Sequence, residues 1–367
     1  MRRRAASIGG LCVAIWAAGS VVGCGGKAVL DGTSSASGGS SSDAGTRSND
    51  AGSATCGDTL SDSQNCGACG AVCSGQCGMG RCSVTLASAQ ANVGCVAVDA
   101  QTVYWINAGD ALDEGTGELR ETPITGGAVT TLVTRPGSDL SWPCQIRLHD
   151  SKVYWTSGDG GGPVFSVAKT GGTPLEYAPP DGGGIALAVD DASVYWVNRY
   201  TGVYKAALDG SNEHQVSTEA GTMIAIDGAH IYWTFSGDPD PTAGKILSLP
   251  LSGAGMPSSV VTGLDDPWAI AADASGIYWQ DYGDGNVTHA TADGSANTLA
   301  TNQFAGTTIA IDESSVYFAA AGKLSKVPKA GGAPVVLAYV PNVFDIAVDD
   351  TSVYWTTGEE VMKLTPK

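Results

Sequence analysis

Residues 187–196 read Leu-Ala-Val-Asp-Asp-Ala-Ser-Val-Tyr-Trp, and this pattern decides the fold. A short apolar run ends in Asp, a turn follows, and a second run ends in Tyr-Trp. Six other segments repeat the pattern, with Tyr-Trp or Tyr-Phe pairs at 104–105, 154–155, 232–233, 278–279, 317–318 and 354–355. Successive copies lie 37 to 50 residues apart. A strand-rich repeat with a period near 40 residues predicts a β-propeller with one four-stranded blade per copy.

The sixth copy shows how one repeat divides into strands. Apolar or alternating runs occupy residues 309–312, 316–318, 322–327 and 334–337, and polar or Gly-containing turns separate them. Large side chains on both faces of such strands need cover on both faces, which neighbouring blades supply. We therefore predict an all-β, seven-bladed propeller.

The seventh copy ends after its third strand, at Lys367. At the other end of the chain, residues 83–87 align with residues 334–338, which form the fourth strand of the preceding blade. We predict that residues 84–87 are the outer strand of the last blade. This arrangement closes the ring and removes an exposed sheet edge. The cysteine-rich segment that precedes this strand should then lie at the rim.

The N-terminus has the features of an export leader. Three arginines at 2–4 precede an apolar stretch at 8–22, which is too short for a good membrane span. Val21-Val22-Gly23-Cys24 resembles the bacterial lipobox. The resemblance implies a signal peptide at 1–23, a lipid on Cys24 and an outer-membrane destination. A secretory leader with an incidental Cys is the alternative.

Two segments lie between Cys24 and the propeller. Residues 24–55 are rich in Ser, Gly and Asp and predict a disordered, flexible tether. Residues 56–82 contain Cys56, Cys66, Cys69, Cys73, Cys77 and Cys82. Disulfides are expected in an exported chain, while the C-x-x-C at 66–69 leaves zinc as the alternative. Six cysteines allow 15 pairings. Residues 65–73 resemble the module named for plant stigma-specific proteins.

The remaining cysteines, Cys95 and Cys144, precede the first strands of adjacent blades. We predict that they form a disulfide between those blades. Across 83–367, the Tyr-Trp pairs and the Asp-Gly-Ser turns at 209–211 and 293–295 resemble the YWTD propeller repeat and its NHL and TolB-like relatives. The sequence departs from that family in having seven copies rather than six, and in having Asp at the fourth YWTD position only at Asp281.

Composition restricts the function. Asp and Glu outnumber Lys and Arg 37 to 19, and the formal net charge is −18. Such a surface repels nucleic acid. Four His occur, none of them in a metal-ligand spacing, and no catalytic or phosphate-binding motif is found. We therefore predict no catalytic residue, metal or cofactor, and we favour a binding protein over an enzyme. The repeated Asp residues are expected to cap hairpins.

In a propeller, the loops between strands two and three and those between blades meet on one face. Here these loops contain aromatic and charged residues, which predict a site for a protein, glycan or small ligand on a monomeric propeller. The candidates are Trp142, Arg199, Tyr200, Asp266, Trp268, Asp281, Tyr282, Phe344 and Asp345. Alternatively, the aromatics plug the mouth of the channel. A metal-dependent lactonase or hydrolase would require Asp345, Asp266 and Asp281 to converge on the axis.

Overall fold

The computed structural model describes residues 58–109, 117–135, 145–156, 162–177, 183–237, 240, 243–304, 306 and 308–367. These residues form seven antiparallel sheets, six of four strands and one of five. The predicted all-β, seven-bladed propeller is therefore confirmed. Within these ranges, no helix has the length and hydropathy needed to cross a membrane.

Blade 1 consists of β3 (Val93–Val98), β4 (Thr102–Asn107), β5 (Gly117–Pro123) and β6 (Thr130–Arg135). Blade 2 consists of β7 (Ile146–His149), β8 (Lys152–Thr156), β9 (Val164–Ala168) and β10 (Leu175–Tyr177). Blade 3 consists of β11 (Ala186–Val189), β12 (Ser193–Asn198), β13 (Gly202–Ala207) and β14 (His214–Ser217). Blade 4 consists of β15 (Ile224–Ile226), β16 (His230–Phe235), β17 (Gly244–Pro250) and β18 (Ser258–Leu264).

Blade 5 consists of β19 (Pro267–Asp273), β20 (Gly276–Asp281), β21 (Val287–Ala290) and β22 (Ala296–Ala300). Blade 6 consists of β23 (Ile309–Ile311), β24 (Ser315–Ala320), β25 (Lys323–Pro328) and β26 (Val335–Tyr339). Blade 7 consists of β27 (Ile346–Val348), β28 (Val353–Thr356), β29 (Val361–Thr365), β2 (Arg81–Ala87) and β1 (Gln76–Gly78).

The last blade closes as the sequence predicts. β2 pairs antiparallel with β29, so that Ser83 lies opposite Leu364 and Val84 opposite Lys363. One feature was not anticipated: β1, from the cysteine-rich segment, adds a fifth strand outside β2. The cysteine-rich segment thus continues the outer edge of this blade.

The Tyr-Trp pair fills the spaces between blades. Successive residues of a strand point to opposite faces, so that Tyr and Trp enter different interfaces. Tyr195 of blade 3 packs in one apolar cluster with Trp233 of blade 4, whereas Trp196 packs with Tyr154 of blade 2. The described residues form seven such clusters, one between each pair of neighbouring blades. The cluster that joins Tyr354 of blade 7 to Trp105 of blade 1 completes the ring.

The repeated Asp residues cap hairpins, as predicted. Asp190 Oδ1 accepts hydrogen bonds from the backbone N–H groups of Ala192 and Ser193, at 2.8 and 2.7 Å. Its Oδ2 accepts the hydroxyl of Tyr195 at 2.9 Å. The same set of bonds is present at Asp227, Asp312 and Asp349. Each Asp thus fixes a turn and orients the Tyr that packs against the next blade.

Asp99 and Asp273 stand at the same repeat position in blades 1 and 5. They and Asp312 form ion pairs with a lysine of the following blade: Lys169–Asp99, Lys329–Asp273 and Lys367–Asp312. Burial opposes ionisation of Asp99, but the bonds from Lys169 and from backbone N–H groups hold its pKa below the usual value. These polar contacts link blades 1 and 2, 5 and 6, and 6 and 7. They lie at the end of the ring with the short Asp turns, which we call the hairpin face.

Two disulfides tie the cysteine-rich segment together, Cys66–Cys77 and Cys73–Cys82. Because Cys82 belongs to β2, the second disulfide fastens the segment to blade 7. Cys69 and Cys95 are also disulfide-bonded. The disulfide alternative is therefore confirmed over zinc at 66–69. The predicted Cys95–Cys144 bond stays a prediction because Cys144 lies outside the described residues, as do Cys24 and Cys56.

Candidate functional site

The end of the ring opposite the hairpin face carries the connections between second and third strands and those between blades. We call it the loop face. Of the predicted candidates, all but Trp142 are described, and they occupy this end of blades 3, 5 and 7. Arg199 and Tyr200 follow β12. Asp281 is the last residue of β20 and Tyr282 follows it, whereas Phe344 and Asp345 precede β27.

The structure brings Arg199, Tyr200 and Trp268 into one region. The Arg199 guanidinium carbon is 5.9 Å from the centre of the Trp268 ring, a distance suited to a cation–π contact. Arg199 and Tyr200 also line a cavity of about 320 Å³ together with Phe235 and Thr222 of blade 4. This cavity therefore spans blades 3 and 4, and the cation–π contact extends the region to blade 5.

Aromatic side chains project from the loop face into solvent. In the described residues, five aromatic residues are exposed: Tyr200, Tyr282, Phe304, Tyr339 and Phe344. Tyr200 and Tyr282 follow second strands, Tyr339 is the last residue of a fourth strand, and Phe304 and Phe344 precede first strands. All five therefore lie on the loop face. Tyr200 and Tyr339 each expose 72% of their surface. Aromatic residues concentrated on one face are typical of binding surfaces.

Asp345 has a structural role that sequence analysis did not anticipate. Its Oδ2 accepts the Val96 N–H at 3.0 Å, and its Oδ1 accepts the Thr308 hydroxyl at 2.8 Å and the Ile346 N–H at 2.9 Å. These partners belong to blade 1, the segment before β23 of blade 6, and blade 7. Burial raises the pKa of Asp345, although these hydrogen bonds and Arg147 favour ionisation. The carboxyl group therefore joins three blades at the point where the ring closes.

Asp281 is a buried acid at the loop end of blade 5, with only 3% of its surface exposed. Its Oδ2 accepts the Trp279 indole N–H at 3.0 Å, and its Oδ1 has no partner among the described residues. Burial raises the pKa of Asp281 to about 7, the Trp279 bond opposes this effect, and Asp284, Asp265 and Asp266 add to it. In blade 1, Asn107 accepts Trp105 in the same way at 3.1 Å.

Replacing Asp281 with Asn is expected to stabilise the protein at neutral pH. Folding shifts the pKa of this carboxyl from 3.8 to about 7. Between pH 3.8 and about 7, the Asp281 carboxyl is ionised in the unfolded chain but protonated in the folded protein. The free energy of unfolding of the wild type therefore falls as the pH rises through this range. At pH 8 the variant should be more stable by roughly 2–4 kcal/mol, since one pKa unit is about 1.4 kcal/mol.

Urea unfolding at pH 4, 6 and 8 measures this difference. The gap between Asp281→Asn and wild type should be small at pH 4 and grow toward pH 8. Asp350→Asn, at an exposed position in the turn between β27 and β28 and away from Asp281, is the control and should leave the pH dependence unchanged. A constant gap across the three pH values would contradict the assignment of a shifted pKa to Asp281.

The three carboxylates required for a metal-dependent enzyme do not form a metal-holding group. The carboxylate of Asp345 is bonded to Val96, Thr308 and Ile346, whereas Asp281 is bonded to Trp279. In the part of the chain that the structure describes, no three His, Cys, Asp or Glu side chains are arranged to hold a metal ion. Asp266 contributes its backbone carbonyl, which accepts the Tyr282 N–H at 3.0 Å.

Sequence analysis missed Phe304, Tyr339 and Arg147. Phe304 lies beyond the end of β22 and Tyr339 is the last residue of β26, and an aromatic residue at such positions gives no periodic signal. Arg147 does carry a signal, because it stands in blade 2 at the position that is Ala in the first strand of every other blade. Aligning the seven first strands would have revealed it.

This geometry defines the chain as a seven-bladed propeller with an aromatic, partly acidic loop face. Solved structures share the fold. The WD40 propeller domain of Doa1 aligns with a TM-score of 0.59 and 12% identity over 77% of this chain and 96% of that one. YCF48 bound to D1 peptide aligns with a TM-score of 0.54 and 12% identity over 78% and 96%.

Puromycin hydrolase aligns with a TM-score of 0.59 and 14% identity over 76% of this chain and 52% of the enzyme. This chain therefore spans about half the length of that hydrolase. No model of a known protein family matches the sequence, and no curated protein is detectably similar to it. At these identities, the similarities to solved structures show the fold alone.

Proposed function

We propose that this chain is a lipid-anchored envelope protein that binds a protein or glycan partner through its loop face. The observation that supports binding most directly is the placement of the exposed aromatic residues. Tyr200, Tyr282, Phe304, Tyr339 and Phe344 share the loop face, whereas the hairpin face has none among the described residues. YCF48, which has the same fold, is bound to a D1 peptide in its solved structure.

The chemistry of the loop face indicates what it would bind. Tyr200 and the Arg199–Trp268 contact offer flat, amphipathic surfaces beside a 320 Å³ cavity. Asp265, Asp266 and Asp284 place negative charge near Tyr282. Aromatic residues supply much of the binding energy in protein interfaces, and acidic neighbours favour a partner with positive charge. A partner with apolar and basic groups therefore fits this face.

Site-specific photo-crosslinking in native envelopes tests the proposal. A photoreactive residue at position 200 should give discrete adducts, and Tyr282→Ala should reduce their yield at least fivefold. Position 256 is the matched control, because Met256 is 89% exposed in the loop between β17 and β18, on the hairpin face. Equal adducts at the two positions, or adducts at 200 that do not respond to Tyr282→Ala, would contradict binding through the loop face.

The anchor rests on the lipobox-like sequence that ends at Cys24. Buried acyl chains contribute about 0.8 kcal/mol per CH₂, so that two or more chains hold a protein at a membrane. Wild type should enter the detergent phase of a Triton X-114 partition, whereas Cys24→Ala should enter the aqueous phase. Cys12→Ala, within the proposed leader, is the control and should behave like wild type. Unchanged partitioning of Cys24→Ala would overturn the anchor.

The hydrolase alternative gains no support from a particular contact in the described residues. The similarity to puromycin hydrolase covers half of that enzyme and shows the fold alone. The structure contains the Cys66–Cys77 and Cys73–Cys82 disulfides in residues 56–82. The resemblance of this segment to the stigma-specific module stays a prediction.

A further inference from the structure

Among the described residues that line the central channel, one charged side chain interrupts an otherwise apolar lining. Seven first strands surround the ring axis, and in each the residue opposite the repeat Tyr occupies the same register position. Six blades have Ala there: Ala97, Ala188, Ala225, Ala271, Ala310 and Ala347. Blade 2 has Arg147, opposite Tyr154. A long cation at a position that otherwise holds a methyl group is not required by the fold.

The inner strands leave a cavity of about 410 Å³ along the axis, and Arg147 lines it together with aliphatic residues from all seven blades. A cavity of this volume is at the small end of the range for ligand sites. Each inner strand pairs with a neighbour on one side only. Its other edge therefore presents backbone N–H and C=O groups toward the axis. The channel thus combines apolar walls, backbone polar groups and one guanidinium.

The guanidinium of Arg147 has donors to spare. Its Nη1 donates to the Ile146 carbonyl at 2.9 Å. Among the described residues no ion pair includes Arg147, so that most of its five N–H groups remain available. Burial lowers the pKa of Arg147, while Asp345 opposes this effect, and the guanidinium stays protonated. A partly desolvated cation without a bonded counter-ion is unfavourable, and an anion would relieve this cost.

Asp345 does not take the place of that anion. Its two oxygens accept hydrogen bonds from Val96, Thr308 and Ile346, and its burial reduces its tendency to ionise. It acts on Arg147 only as a nearby charge. The available N–H groups of the guanidinium therefore face the cavity rather than a side-chain acceptor.

We infer that the central channel is a second binding site, separate from the loop face, for a carboxylate attached to a short aliphatic chain. A guanidinium binds a carboxylate through two parallel hydrogen bonds. The Ala, Ile and Val walls suit an aliphatic body. A multivalent anion is disfavoured because the chain carries a net charge of −18. The carboxylate belongs either to a free small acid or to the C-terminus of a peptide.

Isothermal titration of the full chain with sodium hexanoate tests the inference. Hexanoate should bind at least tenfold more tightly than hexanamide, which has the same body without the charge, and inorganic phosphate should not compete. Arg147→Ala should weaken hexanoate binding at least tenfold. This variant should fold, because six blades already have Ala at that position. Arg147→Lys, which keeps the charge without the two-pronged geometry, should bind with intermediate affinity.

Two further measurements separate the ligand sources and guard against a folding artefact. The tripeptide Ala-Ala-Val should compete with hexanoate if a peptide C-terminus is the ligand, and its C-terminal amide should not. Arg199→Ala, on the loop face, should leave hexanoate binding unchanged. Hexanoate should raise the melting temperature of wild type but not of Arg147→Ala. Equal binding of hexanoate and hexanamide, tight binding of phosphate alone, or full binding by Arg147→Ala would each overturn the inference.

Discussion

A chain that begins at Ser88 should lose about 5 kcal/mol or more of its unfolding free energy, or fail to fold, whereas a chain that begins at Ala54 should fold like the full protein. The shorter chain lacks β2, which pairs with β29 through five residue pairs. It also lacks Leu86 and Ala87, which are buried against Trp105 and Tyr354. Removing one buried Leu side chain alone costs about 2–5 kcal/mol, and the exposed edge of β29 favours aggregation.

Urea unfolding followed by Trp fluorescence, together with size-exclusion chromatography, measures the effect. The chain from Ala54 is the matched control because residues 54–367 form one compact unit. Unfolding of both chains at the same urea concentration would contradict the closure of blade 7 by β2.

A permuted chain shows whether the strand or the whole cysteine-rich segment is needed. Cys82 lies opposite Thr365 in the β2–β29 ladder, so the end of β29 is adjacent to the start of β2. Residues 81–87, with Cys82→Ser, can therefore be attached after Lys367 through a short turn. This chain, which starts at Ser88, should regain most of the lost stability. Failure to regain it would assign the effect to the disulfide-bonded segment rather than to the strand.

Replacing Asp345 with Ala should lower the free energy of unfolding by about 2–4 kcal/mol. The change removes the acceptor for the Val96 and Ile346 N–H groups and for the Thr308 hydroxyl. Each buried donor left without a partner costs about 1–3 kcal/mol, and the hydroxyl recovers part of this by rotation. Because these donors come from blades 1, 6 and 7, the loss should weaken the closure of the ring. Urea unfolding gives the magnitude.

Asp345→Asn is the graded comparison. Its amide oxygen accepts one N–H, and its NH₂ group donates to Thr308, so the loss should be about half that of the Ala variant. In blade 2, Gln145 accepts the Leu187 N–H from blade 3 at 2.8 Å, which shows that an amide serves this role. If Asp345→Ala were as stable as wild type, the three hydrogen bonds would not contribute to ring closure.

The repeat and the closing strand were predictable because they rest on local patterns. Alternation along a strand sends Tyr and Trp to opposite faces, and this requires a blade on each side wherever the pair occurs. Asp190 and its equivalents act within five residues of their own turns, so their role was also predictable. The role of Asp345 was not, because its partners Val96 and Thr308 are 249 and 37 residues away in sequence.

Only part of the candidate site was predictable, because some of its contacts join residues that are far apart in the sequence. Loop position identified Arg199, Tyr200 and Tyr282 as surface residues, but sequence could not show that Trp268 approaches Arg199 across blade 4. It also could not distinguish Asp281, buried beneath its loop, from an exposed acid. Burial depends on how neighbouring segments pack, and no single-residue pattern records it.

By itself, the sequence determined the number of blades, the strand that closes the last one and the turns that its Asp residues cap, since each depends on spacing along the chain. Tertiary structure alone decided which side chains meet: Asp345 between three blades, the aromatic residues together on one face, and Arg147 inside a channel of aliphatic residues. The physical reason is that a closed ring brings together residues from opposite ends of the chain, and the energy of those contacts depends on burial and distance rather than on sequence order.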